Sequence, residues 1–198
     1  MVNKGFKKAL LYFGGNAEPV AYNAAEFSQV FQNHTVYLVN YRGYGGSSGS
    51  PTETGLFSDA KYIFNQIKLR HSDVTIMGRS LGTAVASYLA AESNIAKLVL
   101  ITPFDSIEHI AQDSFPIYPM NLLLKDKFNS IGLVKDIKAK TLIMVAENDL
   151  VIKLKYTNQL ISSFNSSQLQ VETLKDTGHN DISENRHYYI LLKNFVIN

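Results

Sequence analysis

The sequence predicts an α/β layered fold built around a mostly parallel sheet. Three observations carry this expectation. Short apolar, β-branched runs alternate with longer segments of helical character. The runs Val99–Ile101 and Leu142–Val145 lack polar alternation, the pattern of strands covered on both faces. Strand–helix alternation of this kind is satisfied by right-handed crossovers that lay helices on the sheet.

Taken in order, the strand candidates are Lys8–Phe13, Thr35–Asn40, Val74–Met77, Lys97–Ile101, Thr141–Val145 and Gln170–Leu174. The helix candidates are Tyr22–Gln32, Gly55–Arg70, Leu81–Ala91, Lys155–Phe164 and Glu184–Phe195. The length of 198 residues suits one domain over residues 1–198. One region breaks the rhythm. Residues 103–136 contain no clear strand, two prolines (Pro116 and Pro119) and many apolar side chains between Phe115 and Leu124. A long insertion at the C-terminal end of a strand is expected to form a lid or a pocket wall.

Composition removes several function classes. Hydrophobic residues make up 45% and charged residues 18%, so the chain can build a substantial core and is not of disordered type. The net charge is +2 with scattered bases, and the Lys125–Lys127 and Lys135–Lys140 stretches each contain acids. Nucleic-acid binding is therefore not expected. The absence of cysteine excludes disulfides, thiolate metal sites and cysteine nucleophiles. No H-E-x-x-H or comparable ligand cluster is present, so neither a metal nor another cofactor is expected. Residues Met1–Lys8 are too short and polar for a signal peptide, and no apolar run approaches the roughly 20 residues of a bilayer span. A soluble, cytoplasmic chain is the expectation, and membrane contact is not indicated.

The strongest local signal is Gly78-Arg79-Ser80-Leu81-Gly82, after the strand-like Val74–Met77 and before a good helix. This is a G-x-S-x-G nucleophile elbow in its required strand–turn–helix context. The turn holds the serine at the strand tip, and a Cβ at either glycine would crowd the adjacent strand and helix. The helix N-terminus adds partial positive charge where an oxyanion would form.

A serine hydroxyl needs a base. Of the five histidines, His179 follows the last strand and precedes the last helix, which places it at the elbow's edge of a parallel sheet. His34 and His71 precede strands, His109 lies in the insertion and His187 in a helix candidate. The base needs an orienting acid, and Asp149, on the loop after the fifth strand candidate, gives the chain order Ser80, Asp149, His179. Glu147 and Asp105 compete for this role, and Asp181 reads as a loop-stabilising residue. Two backbone N–H groups would complete an oxyanion hole. Leu81 supplies one, and the Gly14-Gly15-Asn16 loop supplies the other from Asn16, although a plain strand-to-helix turn would use the same residues. Gly15, Phe104, Phe115, Tyr118 and Leu150 are the candidates for a substrate pocket. The stretch Asn40–Pro51 is rich in glycine but carries no phosphate-binding fingerprint, and reads as a structural loop with Arg42 buried or paired.

Seven ordered motifs now stand together: Tyr12–Glu18, Asn40–Gly45, Gly78–Thr83, Thr102–Ser106, Asp126–Phe128, Asn148–Val151 and Gly178–Asp181. The chain resembles the α/β-hydrolase superfamily, and within it the cap-poor ABHD-type serine hydrolases that include protein depalmitoylases. The resemblance implies a Ser80–Asp149–His179 triad, an oxyanion hole at Asn16 and Leu81, and hydrolysis of an ester or thioester through an acyl-enzyme. The implied partner is a small-molecule or lipid-like acyl substrate, and the apolar Phe115–Leu124 stretch points to a hydrophobic acyl or alkyl group. Two departures stand out. Gly14 replaces the histidine of the family's H-G-N-A turn, which normally supports the oxyanion loop. The chain also begins where the family's third strand normally begins, so the expected sheet is a reduced one of about six strands without the usual N-terminal antiparallel strands. A non-catalytic binding protein on the same fold and a serine peptidase are the rival readings. A dehalogenase or epoxide hydrolase is disfavoured because those carry an aspartate at position 80.

Overall fold

Period-two alternation along the strands decides the layering. In the first strand, β1 (Lys8–Phe13), residues Ala9, Leu11 and Phe13 enter one core while Leu10 and Tyr12 enter the other. The remaining strands are β2 (His34–Val39), β3 (Asp73–Arg79), β4 (Lys97–Ile101), β5 (Lys140–Ala146) and β6 (Leu169–Leu174). They form one six-stranded, all-parallel sheet in the order β2-β1-β3-β4-β5-β6. The structure is a computed structural model and describes residues 1–197.

Helices cover both faces, which is why the central strands read as unbroken apolar runs. The helices α2 (Glu53–Lys68), α3 (Leu81–Glu92) and α6 (Leu154–Ser163) pack on Leu11, Phe13, Ile76, Leu98, Leu100 and Ile143. On the other face, α1 (Ala24–Val30) and α7 (Tyr188–Ile197) close over Leu10, Tyr12, Met77, Val99 and Leu142. The strands match the sequence expectation to within two residues at each end. At the open edge, Val2 makes an antiparallel bridge to Val36 of β2.

Two helices start later than their sequence pattern predicts, for local reasons. The first begins as a 3-10 turn over Val20–Asn23 behind Pro19 and becomes α-helical only at Ala24. The last is interrupted because Asn185 accepts from the His187 N–H through its side chain at 2.9 Å, an Asx-type turn that restarts the helix at Tyr188. His187 therefore sits in a turn rather than in the helix. Residues 103–136 form α4 (Ile107–Ser114), α5 (Met120–Leu123) and a 3-10 segment over Ile131–Asp136. The end of this excursion is pinned to α2: the Glu53 N–H donates to Asp126 Oδ1 at 2.8 Å, and the Lys127 N–H donates to Glu53 Oε2 at 2.7 Å. Among the described residues, no helix is long and apolar enough to cross a membrane.

His34 is buried at the start of β2, and its Nδ1 has no hydrogen-bond partner among the described residues. Burial, with Lys8 adding to it, lowers its pKa below the ordinary histidine value. The unfolded chain therefore binds this proton more readily than the folded one. The contribution of a neutral His34 is complete above the unfolded-state pKa and is lost as pH falls below it. Urea denaturation at pH 7.5 and pH 5.5 is expected to show a fall in wild-type midpoint that is smaller in His34→Gln.

Candidate active site

The elbow is built by close approach of backbones. A Cβ on Gly82 would lie 2.1 Å from the Phe13 carbonyl oxygen, and one on Gly78 would lie 2.2 Å from the Gly82 carbonyl oxygen. Only hydrogen fits at either position, so α3 packs directly against the ends of β1 and β3. Between these glycines Ser80 adopts φ 50° and ψ −119°, a strained conformation for a residue with a side chain. The turn is held by the Ser80 N–H donating to the Ile101 carbonyl at 2.9 Å, and by Thr83 Oγ1 donating to the Ser80 carbonyl at 2.6 Å.

The loops after β5 and β6 bring the other two groups to it. Asp149 and His179 are both buried. His179 Nδ1 lies 2.8 Å from Asp149 Oδ2, and His179 Nε2 lies 2.8 Å from Ser80 Oγ. An ionised carboxylate only accepts, so Nδ1 carries the proton and Nε2 presents its lone pair to the serine hydroxyl. The second Asp149 oxygen accepts from the Val151 and Ile152 N–H groups at 2.9 and 2.7 Å, which fixes the carboxylate plane. The rival acids are committed elsewhere. Glu147 is exposed and accepts from the Asp176 N–H. Asp105 is fully buried and bonds His109 Nδ1 at 2.5 Å. Asp181 accepts from the Gly178 N–H at 2.6 Å, as a loop-stabilising residue would.

The Gly14–Glu18 loop lies against the elbow. A Cβ on Gly15 would sit 3.4 Å from Ser80 Cβ. Leu81 opens α3 and Asn16 follows β1, and the N–H of neither donates to a protein acceptor among the described residues. Position 14 has no room for the family's histidine, since even a Cβ would meet Val20 Cγ1 at 2.5 Å. The support comes from other residues. The Tyr41 hydroxyl donates to the Gly14 carbonyl at 2.9 Å, and the Tyr44 hydroxyl bonds Asn16 Oδ1. The Asn40–Pro51 stretch is thus the buttress of this loop, and Arg42 within it is paired bidentately with Asp59.

A cleft of about 450 Å³ opens at Ser80 between Gly15–Glu18 on one side and Val151, His179 and Asn180 on the other. Among the residues expected to wall a pocket, Gly15 lines this cleft. Phe104 does not: it is 1% exposed and belongs to the core on the α3 face. Leu150 is 91% exposed and turned to solvent, leaving its neighbour Val151 at the cleft. Phe115 and Tyr118 are each more than half exposed and line no part of it. Their apolar stretch projects from the surface because α4 and α5 contain no buried residue. Among the described residues, no three His, Cys, Asp or Glu side chains cluster as a metal site.

A family model described as alpha/beta hydrolase fold matches residues 8–123, more than half of the chain. The chain belongs to the alpha/beta hydrolase fold family. Alpha/beta hydrolase domain-containing protein 17B of Homo sapiens is 30% identical over 96% of this chain and 66% of its own length. An uncharacterized protein of Mycobacterium tuberculosis is 32% identical over 74% of this chain and 53% of its own length. The chain thus spans between half and two thirds of these relatives. The structure of MGS-M2, an alpha/beta hydrolase enzyme from a deep-sea metagenome library, superposes with a TM-score of 0.78 at 15% identity, covering 97% of this chain and 90% of that one.

This hydrolase fold carries one feature that sequence reasoning missed. Glu18, mostly buried, accepts from Tyr12 Oη and Asn23 Nδ2 through Oε1, both at 2.7 Å, and from the Gly15 N–H through Oε2 at 2.6 Å. Arg79, the elbow residue that precedes the serine, places its guanidinium 3.7 Å from Glu18 and donates to the carbonyls of His179 and Asn180 at 3.1 Å. One ion pair therefore ties the Gly14–Glu18 loop, the elbow and the His179 loop together. Burial raises the Tyr12 pKa well above that of an ordinary phenol, with Tyr188 and Glu18 adding to the shift, so Tyr12 stays a donor. The only signal in sequence is a charged residue beside the serine with an acid three residues after Gly15. Removing the carboxylate with Glu18→Ala leaves a buried phenol and an N–H unpaired. It is expected to cost about 2–3 kcal/mol and to lower Tm by about 5–10 °C. Glu147→Ala, at an exposed site, is expected to stay within about 0.5 kcal/mol; thermal unfolding of both variants checks the pair.

Proposed function

We propose that this chain is a serine hydrolase that cleaves a carboxylic ester or thioester through an acyl-enzyme on Ser80. The observation that carries the reading is the unbroken Asp149–His179–Ser80 relay, with 2.8 Å at each junction, ending on a strained serine at the N-terminus of α3.

The chemistry follows from the positions of the groups. His179 Nε2 takes the hydroxyl proton as Ser80 Oγ bonds to the acyl carbon. The carbonyl oxygen becomes negative beside the Asn16 and Leu81 N–H groups, which donate to no protein acceptor among the described residues and are available to hold it. The start of α3 adds its positive end to the same place. Collapse breaks the bond to the leaving oxygen or sulfur, which receives the proton from His179. Water then attacks the acyl-enzyme, His179 again removes a proton, and the acid departs as Ser80 recovers its hydrogen. Asp149 keeps the imidazole in the Nδ1–H tautomer and stabilises its charge while it holds the extra proton.

The complete triad favours this reading over a binding protein that merely keeps the fold. Labelling with a fluorophosphonate is expected for wild type and to be abolished in Ser80→Ala and His179→Ala. Asp149→Asn is expected to lower kcat for a nitrophenyl ester by about 10³–10⁴-fold. A folded wild-type protein that takes up no label would sink the hydrolase reading.

A further inference from the structure

The segment that leaves the sheet after β4 carries a face with no partner in the protein. Neither α4 nor α5 contains a buried residue. Phe115, Ile117, Tyr118, Leu122 and Leu123 are all exposed, Ile117 to 89% and Leu122 to 78%. The loop that carries Asp149 adds exposed Leu150, Val151 and Leu154. The two segments are fastened together at the end of α4: the Tyr156 hydroxyl donates to Asp113 Oδ2 at 2.6 Å, and Lys155 pairs with the same carboxylate. Apolar side chains therefore extend from the 115–124 stretch to the rim of the catalytic cleft, where Val151 is a wall. Exposed apolar surface that is contiguous in this way marks an interaction site. We propose that this face docks on an anionic phospholipid bilayer, with the 115–124 stretch entering the headgroup layer. The inference goes beyond the hydrolase reading and does not require Ser80 to react.

Three observations select a bilayer as the partner. The first is that the exposed stretch is held in shape. The Gln112 side chain donates to the Tyr118 carbonyl at 3.0 Å and accepts from the Met120 N–H at 3.1 Å, and its amide nitrogen also faces the Phe115 and Pro116 carbonyls. One polar side chain thus satisfies the inner side of the turn while the apolar side chains point away from it. The second is shape. The stretch lines neither the cleft at Ser80 nor the grooves beside β2 and β6. Its side chains project, and a deformable hydrocarbon layer closes round projecting side chains without needing a matching socket. Phe115 and Tyr118 are residue types suited to the boundary between headgroups and hydrocarbon.

The third observation is charge. The acids of this region are neutralised or turned inward. Glu108 pairs with Lys127 at 3.2 Å, Asp113 pairs with Lys155, and Asp105 is buried against His109. Asp126 accepts from the Glu53 N–H on α2. Lys125, at one end of the apolar stretch, and Lys153, beside Leu154, are exposed and pair with no carboxylate among the described residues. An apolar face with unpaired ammonium groups at its margins complements a layer of hydrocarbon under anionic headgroups.

The test is co-sedimentation of the whole chain carrying Ser80→Ala, so that no lipid is hydrolysed. One set of vesicles is phosphatidylcholine alone and the other contains about one third phosphatidylglycerol. Binding is expected to the anionic vesicles, to be much weaker to the neutral ones, and to fall as salt is raised. Ile117→Glu and Leu122→Glu are each expected to weaken it by at least about tenfold. Lys125→Gln and Lys153→Gln are expected to weaken it by about fivefold each. Ile190→Glu, at an exposed apolar position on α7, is expected to leave it unchanged. All these side chains are exposed, and circular dichroism checks that each variant keeps the fold. Absence of binding, equal binding to both vesicles, or binding unmoved by Ile117→Glu and Leu122→Glu overturns the proposal. So does a concentration-dependent dimer of the lipid-free chain that Ile117→Glu dissociates, since it would put a second copy on this face. Fluorophosphonate labelling of wild type reports on the hydrolase reading separately. An unlabelled chain that docks defeats that reading alone, and a labelled chain that stays off the vesicles defeats only the docking.

Discussion

The arrangement depends on how closely α3 can approach the backbone of β1 and β3. Gly78 and Gly82 each leave just over 2 Å between an added Cβ and a carbonyl oxygen, so the strand–turn–helix junction is closed by backbone contact. That contact forces Ser80 into positive φ and lifts its hydroxyl out of the sheet edge, while the first N–H groups of α3 are left pointing upward. A looser junction would relax the serine and move the first N–H groups of α3 with it, so the position of the hydroxyl and that of the helix N-terminus share one steric cause.

A junction of this kind fixes the serine but not the two loops that must meet it. The Gly14–Glu18 loop follows β1, one strand away, and the His179 loop follows β6, three strands away on the other side. Glu18 and Arg79 bridge that span. Arg79 is the one elbow side chain able to reach both, and it contacts the acid of the first loop and two carbonyls of the second. The histidine loop is further tied to the acid's own loop by the Asn148 N–H donating to the Thr177 carbonyl at 2.8 Å. The loop that lacks its customary histidine is therefore not unsupported. Tyr41 and Glu18 hold it from either side, and Val20 occupies the space that a side chain at position 14 would need.

How legible this was in the sequence follows from the range of each interaction. Strands covered on both faces announce themselves as apolar runs, and even the partly exposed edge strand β6 is found by its β-branched character. The meeting of Ser80, Asp149 and His179 is legible because the elbow is a local motif and because loop order along parallel strands fixes which side of the sheet each residue reaches. The helix starts at Ala24 and Tyr188 were not, because a 3-10 turn after Pro19 and an Asx turn at Asn185 override helical propensity over only a few residues. The Glu18–Arg79 bridge was hidden for the opposite reason: its partners lie 61 to 101 positions apart, and a charge beside the serine and an acid after Gly15 do not by themselves announce that they pair.

The pocket shows where composition misleads. Phe104, Phe115 and Tyr118 drew notice as large apolar residues in a long connection, yet one is core and the other two face outward. A loop that leaves the sheet edge buries an aromatic only where a helix or strand stands opposite it, and α4 and α5 have none above them. A groove between the segment after β1 and the edge strand β2, with Met1 and Val2 at one end, has the converse character. It is assembled from alanines, a proline, a valine and a leucine contributed by three separate segments, none apolar enough to attract attention alone. Its hydrophobicity comes from convergence at the β1–β2 side of the sheet. An apolar concavity of this type is a property of topology before it is one of sequence.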